Sequence, residues 1–113
     1  MARRIPLAGT VKVLSAQASD AGTATGLTVV AADAAKIPHI HGVLLSTNTA
    51  GDYSIRIGTT VMAKLHLAAN SEVYYPLYPF YWANNAVNES INVVKPQAAT
   101  TSVTVFYTLE PSR

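Results

Sequence analysis

The chain has 113 residues, of which 50% are hydrophobic and 12% are charged, with a net charge of +2 and no cysteine. This length fits one domain, and the missing cysteine excludes disulfides, thiolate metal sites and cysteine nucleophiles. The basic residues are scattered rather than clustered, which excludes a basic nucleic-acid-binding patch. An ordinary soluble domain is roughly 25% charged, so the low charge indicates a surface covered by a membrane or by protein partners.

Protein partners are favoured over a membrane, because no window approaches the roughly 20 uninterrupted apolar residues of a spanning helix. Two arginines near the N-terminus are not followed by an apolar run of secretory length, which predicts a chain made in a cytoplasm. Pro6 and Gly9 are too close together for a helix. We therefore expect residues 1–9 to form an N-terminal arm and residues 10–113 to form one β-sandwich domain.

Short strands separated by turn residues account for the rest of the chain, with the stretch 19–23 the first expected turn. Turns recur at intervals of roughly a dozen residues, which is typical of a two-sheet sandwich or a small barrel. Eight strands are expected: 10–16, 25–31, 38–47, 53–57, 60–67, one in the aromatic segment that ends at residue 82, 89–95 and 101–109.

Alternation within these strands predicts which residues share a face. In the strand 38–47, strict alternation predicts that Val43 and Leu45 lie on the same face as the two histidines of this strand. Ile40 should then lie on the opposite face. The strands 53–57 and 60–67 are joined through Gly58, which predicts a hairpin. The last strand has the most regular alternation, with its valines on one face.

His39 and His41 are two apart on a strand, so they should project from one face and could bind one metal ion. A metal site needs further ligands, and His66 lies on another strand. No carboxylate follows His41 at the spacing of a cupin metal motif. The alternative is a pair of histidines that is partly buried or lines an interface, and we expect neither a metal nor another cofactor.

Six of the nine aromatic residues lie between positions 74 and 82. Tyrosine and tryptophan rings can stack on the apolar faces of sugars. Alternatively, they can fill the sandwich core or a subunit interface, where they are enriched. Alternation turns Val73, Tyr75 and Leu77 inward. The candidate partner or glycan contacts are therefore Tyr74, Tyr78 and Trp82.

The arm combines basic and apolar residues. Arg3 and Arg4 could reach carboxylates of a neighbouring subunit while Ile5 and Leu7 fill a groove; a solvated terminus is the alternative. No nucleophile elbow and no recognisable acid/base pair of carboxylates occurs in the chain. We expect no enzymatic activity.

The segment GDYSIRIGTTVMAKLHLAANSEVYYPLYPFYWANNAVNESINV, followed later by TSVTVFYTLEP, resembles a group of small phage virion proteins. The shared features are a strand pair with a GTT-like turn, LHLAAN, a segment with prolines and aromatics, and an Asn-rich loop before ESINV. Such proteins often have PWF where this chain has PFYW. The resemblance implies a jelly-roll-like sandwich displayed on a phage particle, commonly as a trimer on the capsid, and it provides no catalytic residues.

We therefore expect an all-β, single-domain antiparallel β-sandwich, jelly-roll-like, with about eight strands. The expected function is a trimeric capsid decoration or cement protein that stabilises the head shell of a tailed phage. It would bind the major capsid protein and neither nucleic acid nor membrane. It would be made in the host cytoplasm and reside in the virion, with Arg3, Arg4, Ile5 and Leu7 as the shell-binding arm.

Two alternatives share this fold class. A receptor- or glycan-binding head or tail fibre protein would use Tyr74, Tyr78 and Trp82 for contact. A non-viral lectin or cytokine-like trimer would usually carry an export signal, which is not recognised in this sequence.

Overall fold

The computed structural model describes residues 13–21, 26–77, 80–96 and 99–111. Within these ranges the chain forms nine strands, and all their pairings are antiparallel. No helix in the same ranges has the length and apolarity needed to cross a membrane. The strands are β1 (Leu14–Ala21), β2 (Gly26–Val30), β3 (Lys36–Thr47), β4 (Gly51–Ile57), β5 (Thr60–Leu67), β6 (Ser71–Pro76), β7 (Trp82–Ala83), β8 (Ile91–Val94) and β9 (Thr100–Pro111).

The strands form two sheets that pack as a sandwich. The first sheet has the order β1-β9-β3-β6, with β7 also pairing with β3, and the second has the order β2-β8-β4-β5. The chain crosses repeatedly between the sheets, so each sheet combines strands from both ends of the sequence. This order is that of a jelly roll. The expected fold class is confirmed, with the two-residue strand β7 added to the eight main strands.

The core lies between the two sheets and is built from the inward residues of the central strands. Each buried aliphatic side chain contributes roughly 1.5–3 kcal/mol relative to its exposed state. The inward valines of β8 and β9 are fully buried, as their alternation predicts. The fully buried apolar residues are Ile40, Val43, Leu45, Tyr53, Ile55, Ile57, Ile91, Val93, Val103 and Val105.

Two buried polar side chains of the sandwich, Tyr53 and Lys95, have hydrogen-bond partners, as buried groups usually do. The Tyr53 hydroxyl donates to the Thr49 carbonyl at 2.6 Å and lies 2.6 Å from the Thr47 hydroxyl. At one end of the sandwich, the buried Lys95 ammonium donates to the Ala99 carbonyl at 2.9 Å. These bonds fix the loops that close the sandwich to its core.

A β-bulge in β3 decides which residues of this central strand face the core. The register of β3 against β9 shifts between Ile40 and Gly42. Because a bulge adds one residue to a strand, Ile40 faces inward together with Val43 and Leu45, and all three are fully buried. The strict alternation expected for this strand is therefore wrong.

Two further expectations concern the strand ends. The hairpin at Gly58 is confirmed, because β4 pairs with β5 and Gly58 has φ of 62°, a conformation that favours glycine. The first strand, expected at 10–16, spans Leu14–Ala21, and residues 10–12 lie outside the described ranges. The turn expected at 19–23 was wrong for residues 19–21, since they pair with β9.

Candidate functional site

The candidate site is the face of the first sheet that points away from the second sheet, which we call the outer face. Glu72 and Glu110 carry its charge, and none of the described residues on it is lysine or arginine. Its residues, assigned by strand register, are Ser15, Gln17, Ser19, His39, His41, Leu44, Ser46, Glu72, Tyr74, Ser102, Thr104, Phe106, Thr108 and Glu110.

One half of the outer face is aromatic. Tyr81 stacks on His39 with 4.2 Å between ring centroids and 2° between ring planes, and it lies 5.8 Å from the ring of His41. Tyr74 meets Phe106 edge to face at 6.3 Å. Tyr81, His39, His41 and Phe106 are named the aromatic half, and Tyr74 stands at its border. The two tyrosines are exposed, Tyr74 by 57% and Tyr81 by 50%.

Phe106 lies beside Gly42 of β3. A Cβ added to Gly42 would be 3.5 Å from the Phe106 ring, which is an ordinary contact, so the ring does not require a glycine there. Phe106 was not among the residues singled out from the sequence. The signal that could have identified it is an aromatic residue on the otherwise hydroxyl-bearing side of the last strand.

Hydrogen bonds hold the segment before β7 against β3. The Leu77 amide donates to the His41 carbonyl at 2.9 Å, and the Phe80 amide donates to the Leu77 carbonyl at 2.7 Å. The His41 Nε2 atom lies 3.0 Å from the hydroxyl of Thr108. Directly after this segment, β7 pairs with β3. This pairing places Tyr81 on the outer face.

Burial lowers the pKa of both His39 and His41 below the usual value for histidine. The Glu110 carboxylate opposes this shift at both rings, and a backbone hydrogen bond with Phe80 also opposes it at His41. Desolvation is the larger cause, because it disfavours the charged imidazolium. Both histidines are therefore neutral at neutral pH, and the outer face then holds no cation among its described residues.

The two histidines pack against Tyr81 and Thr108. Within the described ranges, no three His, Cys, Asp or Glu side chains come together to hold an ion. His66 lies on β5 in the second sheet, where its Nδ1 atom is 2.5 Å from a carboxylate oxygen of Asp52. It does not converge with His39 and His41.

The structure does not bring the candidate aromatic contacts together. Tyr74 is on the outer face. Trp82 pairs with Ile40 and packs against the core, with its ring 5.3 Å from that of Tyr75. Tyr78 lies outside the described residues. Tyr74 and Trp82 are thus on opposite sides of the sheet and cannot form one platform.

Two of the three inward positions expected before Trp82 are confirmed by packing, whereas Tyr75 remains 41% exposed and is not part of the core cluster. Val73 and Leu77 both pack against the core. The arm residues Arg3, Arg4, Ile5 and Leu7 all lie outside the described ranges, so their binding role stays a prediction.

The other half of the outer face is polar and forms an open groove with a volume of about 610 Å³. Hydroxyl, amide and carboxylate groups line it, and Tyr74 stands at its border with the aromatic half. We call this region the polar groove. Its main residues are Ser19, Ser46, Asn48, Asn70, Glu72 and Ser102.

The chain matches no protein-family model, no curated protein and no solved structure. The site is therefore interpreted from its own geometry and chemistry.

Proposed function

We propose that this chain is a non-enzymatic virion structural protein, a trimeric decoration or cement protein that binds the head shell of a tailed phage and stabilises it. The observation that supports this proposal is the aromatic half of the outer face, a group of exposed rings on a regular sheet. Jelly rolls occur in viral capsid proteins, but a fold alone does not set a function. Support for the proposal therefore comes from the composition of the exposed surface.

The aromatic half has the composition of a protein interface. Aromatic residues are enriched at the centres of interfaces, whereas lysine, glutamate and aspartate are depleted there. Tyr81 is 50% exposed and Phe106 is half-buried, so a partner would remove further apolar surface from water. With both histidines neutral, few charges would have to be desolvated. In our proposal this surface forms the contact between copies of the trimer.

The arm would complete the assembly. Arg3 and Arg4 would pair with carboxylates of the major capsid protein, and Ile5 and Leu7 would fill an apolar groove in the shell. A protein that binds only the assembled shell shifts the equilibrium towards assembly, by about 2.7 kcal/mol per site when its concentration is 100 times its Kd. Repeated over many copies, this stabilises the head against its internal pressure.

The test uses particles that carry this chain and particles assembled without it. We expect the particles without the chain to release DNA at a lower temperature, and re-addition of the purified chain to restore the original release temperature. Equal release temperatures with and without the chain would contradict the proposal.

A second candidate function is a receptor- or glycan-binding head or tail fibre protein, which the position of Tyr74 beside the polar groove favours. It predicts a few copies per particle and binding of the isolated chain to host cells. A decoration protein instead predicts hundreds of copies, so quantitative protein analysis of purified particles separates the two.

A further inference from the structure

We propose that the polar groove binds a neutral glycan, with sugar hydroxyls bonded to the groove and one sugar ring stacked on Tyr74. This inference goes beyond shell stabilisation and does not depend on it. It also uses a different surface from the three aromatic residues that the sequence suggested, of which only Tyr74 belongs to it.

The size of the groove suits a small ligand. Its volume of about 610 Å³ is within the roughly 300–1,000 Å³ of small-molecule sites. It lies where the ends of β1, β9, β3 and β6 meet the turns after β3 and β5, so four strands fix its floor. Asn70 is held in one of these turns with φ of 54°.

Several polar groups of the groove are available to a ligand. Within the part of the chain that the structure describes, the side chains of Ser46, Asn70 and Glu72 make no hydrogen bond or ion pair. The side-chain oxygen Oδ1 of Asn48, in contrast, accepts from the backbone amide of Thr100 at 3.1 Å. The available groups include a hydroxyl and an amide, which both donate and accept, and a carboxylate, which accepts. A sugar hydroxyl likewise donates and accepts.

Charge selects the ligand class. Glu72 is the charged residue among the described groove residues, and none of those residues is lysine or arginine. An anionic sugar, a sulfate or a phosphate would meet a carboxylate without a compensating cation. A neutral sugar can donate its hydroxyls to the same carboxylate in charge-assisted hydrogen bonds. The groove therefore favours uncharged glycans.

Tyr74 provides the apolar part of the site. It follows Glu72 by two positions on β6 and shares its face, so the two Cα atoms are about 7 Å apart along the strand. Its edge contact with Phe106 orients the ring, while 57% of the residue remains exposed. A tyrosine ring so placed can contact the apolar face of a sugar while its hydroxyl stays in water.

The test is a titration of the purified, isotope-labelled full chain followed by its backbone amide resonances. The neutral probes are hexasaccharides of glucose, of mannose and of N-acetylglucosamine. The anionic probes are sialyllactose and a heparin hexasaccharide. We expect at least one neutral probe to shift resonances at 46–48, 70–74 and 100–102 with a Kd of about 1 mM or tighter, and the anionic probes to bind at least about tenfold more weakly.

Single-residue variants distinguish glycan binding at this site from nonspecific binding. Tyr74→Ala and Glu72→Gln should each weaken binding about tenfold, whereas Tyr74→Phe, which keeps the ring, should retain most of it. Lys64→Gln, on the second sheet, is the matched control and should leave binding unchanged. The spectrum of each free variant shows whether it is folded.

Three outcomes would overturn the inference: no shift with any neutral probe at about 10 mM, equal binding by Tyr74→Ala, or equal affinity for anionic and neutral probes. None of them alters the DNA-release experiment on whole particles. Failure of glycan binding and failure of shell stabilisation are therefore distinguishable.

Discussion

The outward faces of the two sheets differ in chemistry, although the inward faces are alike. The second sheet presents Asp52, Arg56, Lys64 and His66, and two of these form an exposed ion pair. The first sheet presents rings and hydroxyl groups, with two carboxylates and no lysine or arginine among its described outer-face residues. Among the described residues of the two outward faces, lysine and arginine thus occur only on the second sheet.

This difference indicates which side is suited to a partner. Burying the second sheet would require removing the charges of Arg56 and Lys64 from water, at a cost of several kcal/mol for each ion left unpaired. Burying the first sheet would mainly cover rings that are already in contact with one another. We infer that the second sheet faces solvent and that the aromatic half of the first sheet faces protein.

The largest expected effect comes from placing a charge on the aromatic half. Phe106→Lys should weaken self-association and particle binding by at least about a hundredfold, because an unpaired buried cation costs roughly 3–5 kcal/mol. Thr28→Lys introduces the same charge at an exposed position of the second sheet. It should leave self-association and particle binding nearly unchanged. Sedimentation velocity and particle pull-down measure the two effects. Equal losses for the two variants would refute the difference between the faces.

A smaller effect is expected from glycine substitutions in the two sheets. Gly58→Ala should lower the free energy of unfolding by about 1–3 kcal/mol, because Gly58 has φ of 62° and its new Cβ would collide with the Glu89 carboxylate. Gly42→Ala should change it by no more than about 0.5 kcal/mol, since the added Cβ meets only ordinary contacts. Urea unfolding measures the free energy of unfolding of both variants. A larger decrease for Gly42→Ala than for Gly58→Ala would contradict this prediction, because it would mean that no space for a Cβ exists beside Phe106.

The histidines of the aromatic half predict a pH dependence. Their pKa values are lowered in the folded chain, so the unfolded chain binds protons more readily. Their contribution to stability is complete above about pH 6.5, the unfolded pKa, and is lost as the pH falls through the folded pKa values. The His39→Gln, His41→Gln double variant should no longer lose stability as the pH falls. The control variant His66→Gln should lose stability as the unmodified chain does. Denaturant midpoints measured between about pH 7 and pH 5 test this, and an unchanged slope in the double variant would contradict it.

The smallest effect is expected at the exposed ion pair of the second sheet. Asp52→Asn should change the free energy of unfolding by less than about 1 kcal/mol, because exposed pairs are weak and screened by salt. His66 and Asp52 are 86% and 54% exposed. Thermal unfolding at low and high salt measures the change, and a loss above that limit would mean that this pair contributes to the fold.

The sequence predicted the architecture well where alternation is regular. In β9, Val103 and Val105 are fully buried, as their spacing predicts, and Phe106 lies on the opposite face. The β4–β5 hairpin was also predictable, because Gly58 provides the positive φ of its turn. Local sequence determines these features.

The remaining features depend on pairing between distant segments. The bulge in β3 changes the face of Ile40 relative to Val43, and no residue type at His41 signals the extra position. The polar strand β1 extends through Ala21 only because β9 pairs with it. The separation of Tyr81 from Trp82 likewise requires the pairing of β7 with β3. The candidate site was therefore only partly predictable, through Tyr74, His39 and His41.

The most direct test is the copy number and orientation of this chain in purified particles by electron cryomicroscopy. Our account predicts hundreds of copies on the head, in trimers, with the aromatic half of the outer face buried between protein surfaces and the second sheet exposed to solvent. A few copies at the tail, or an aromatic half that faces solvent while Arg56 and Lys64 are buried, would contradict it.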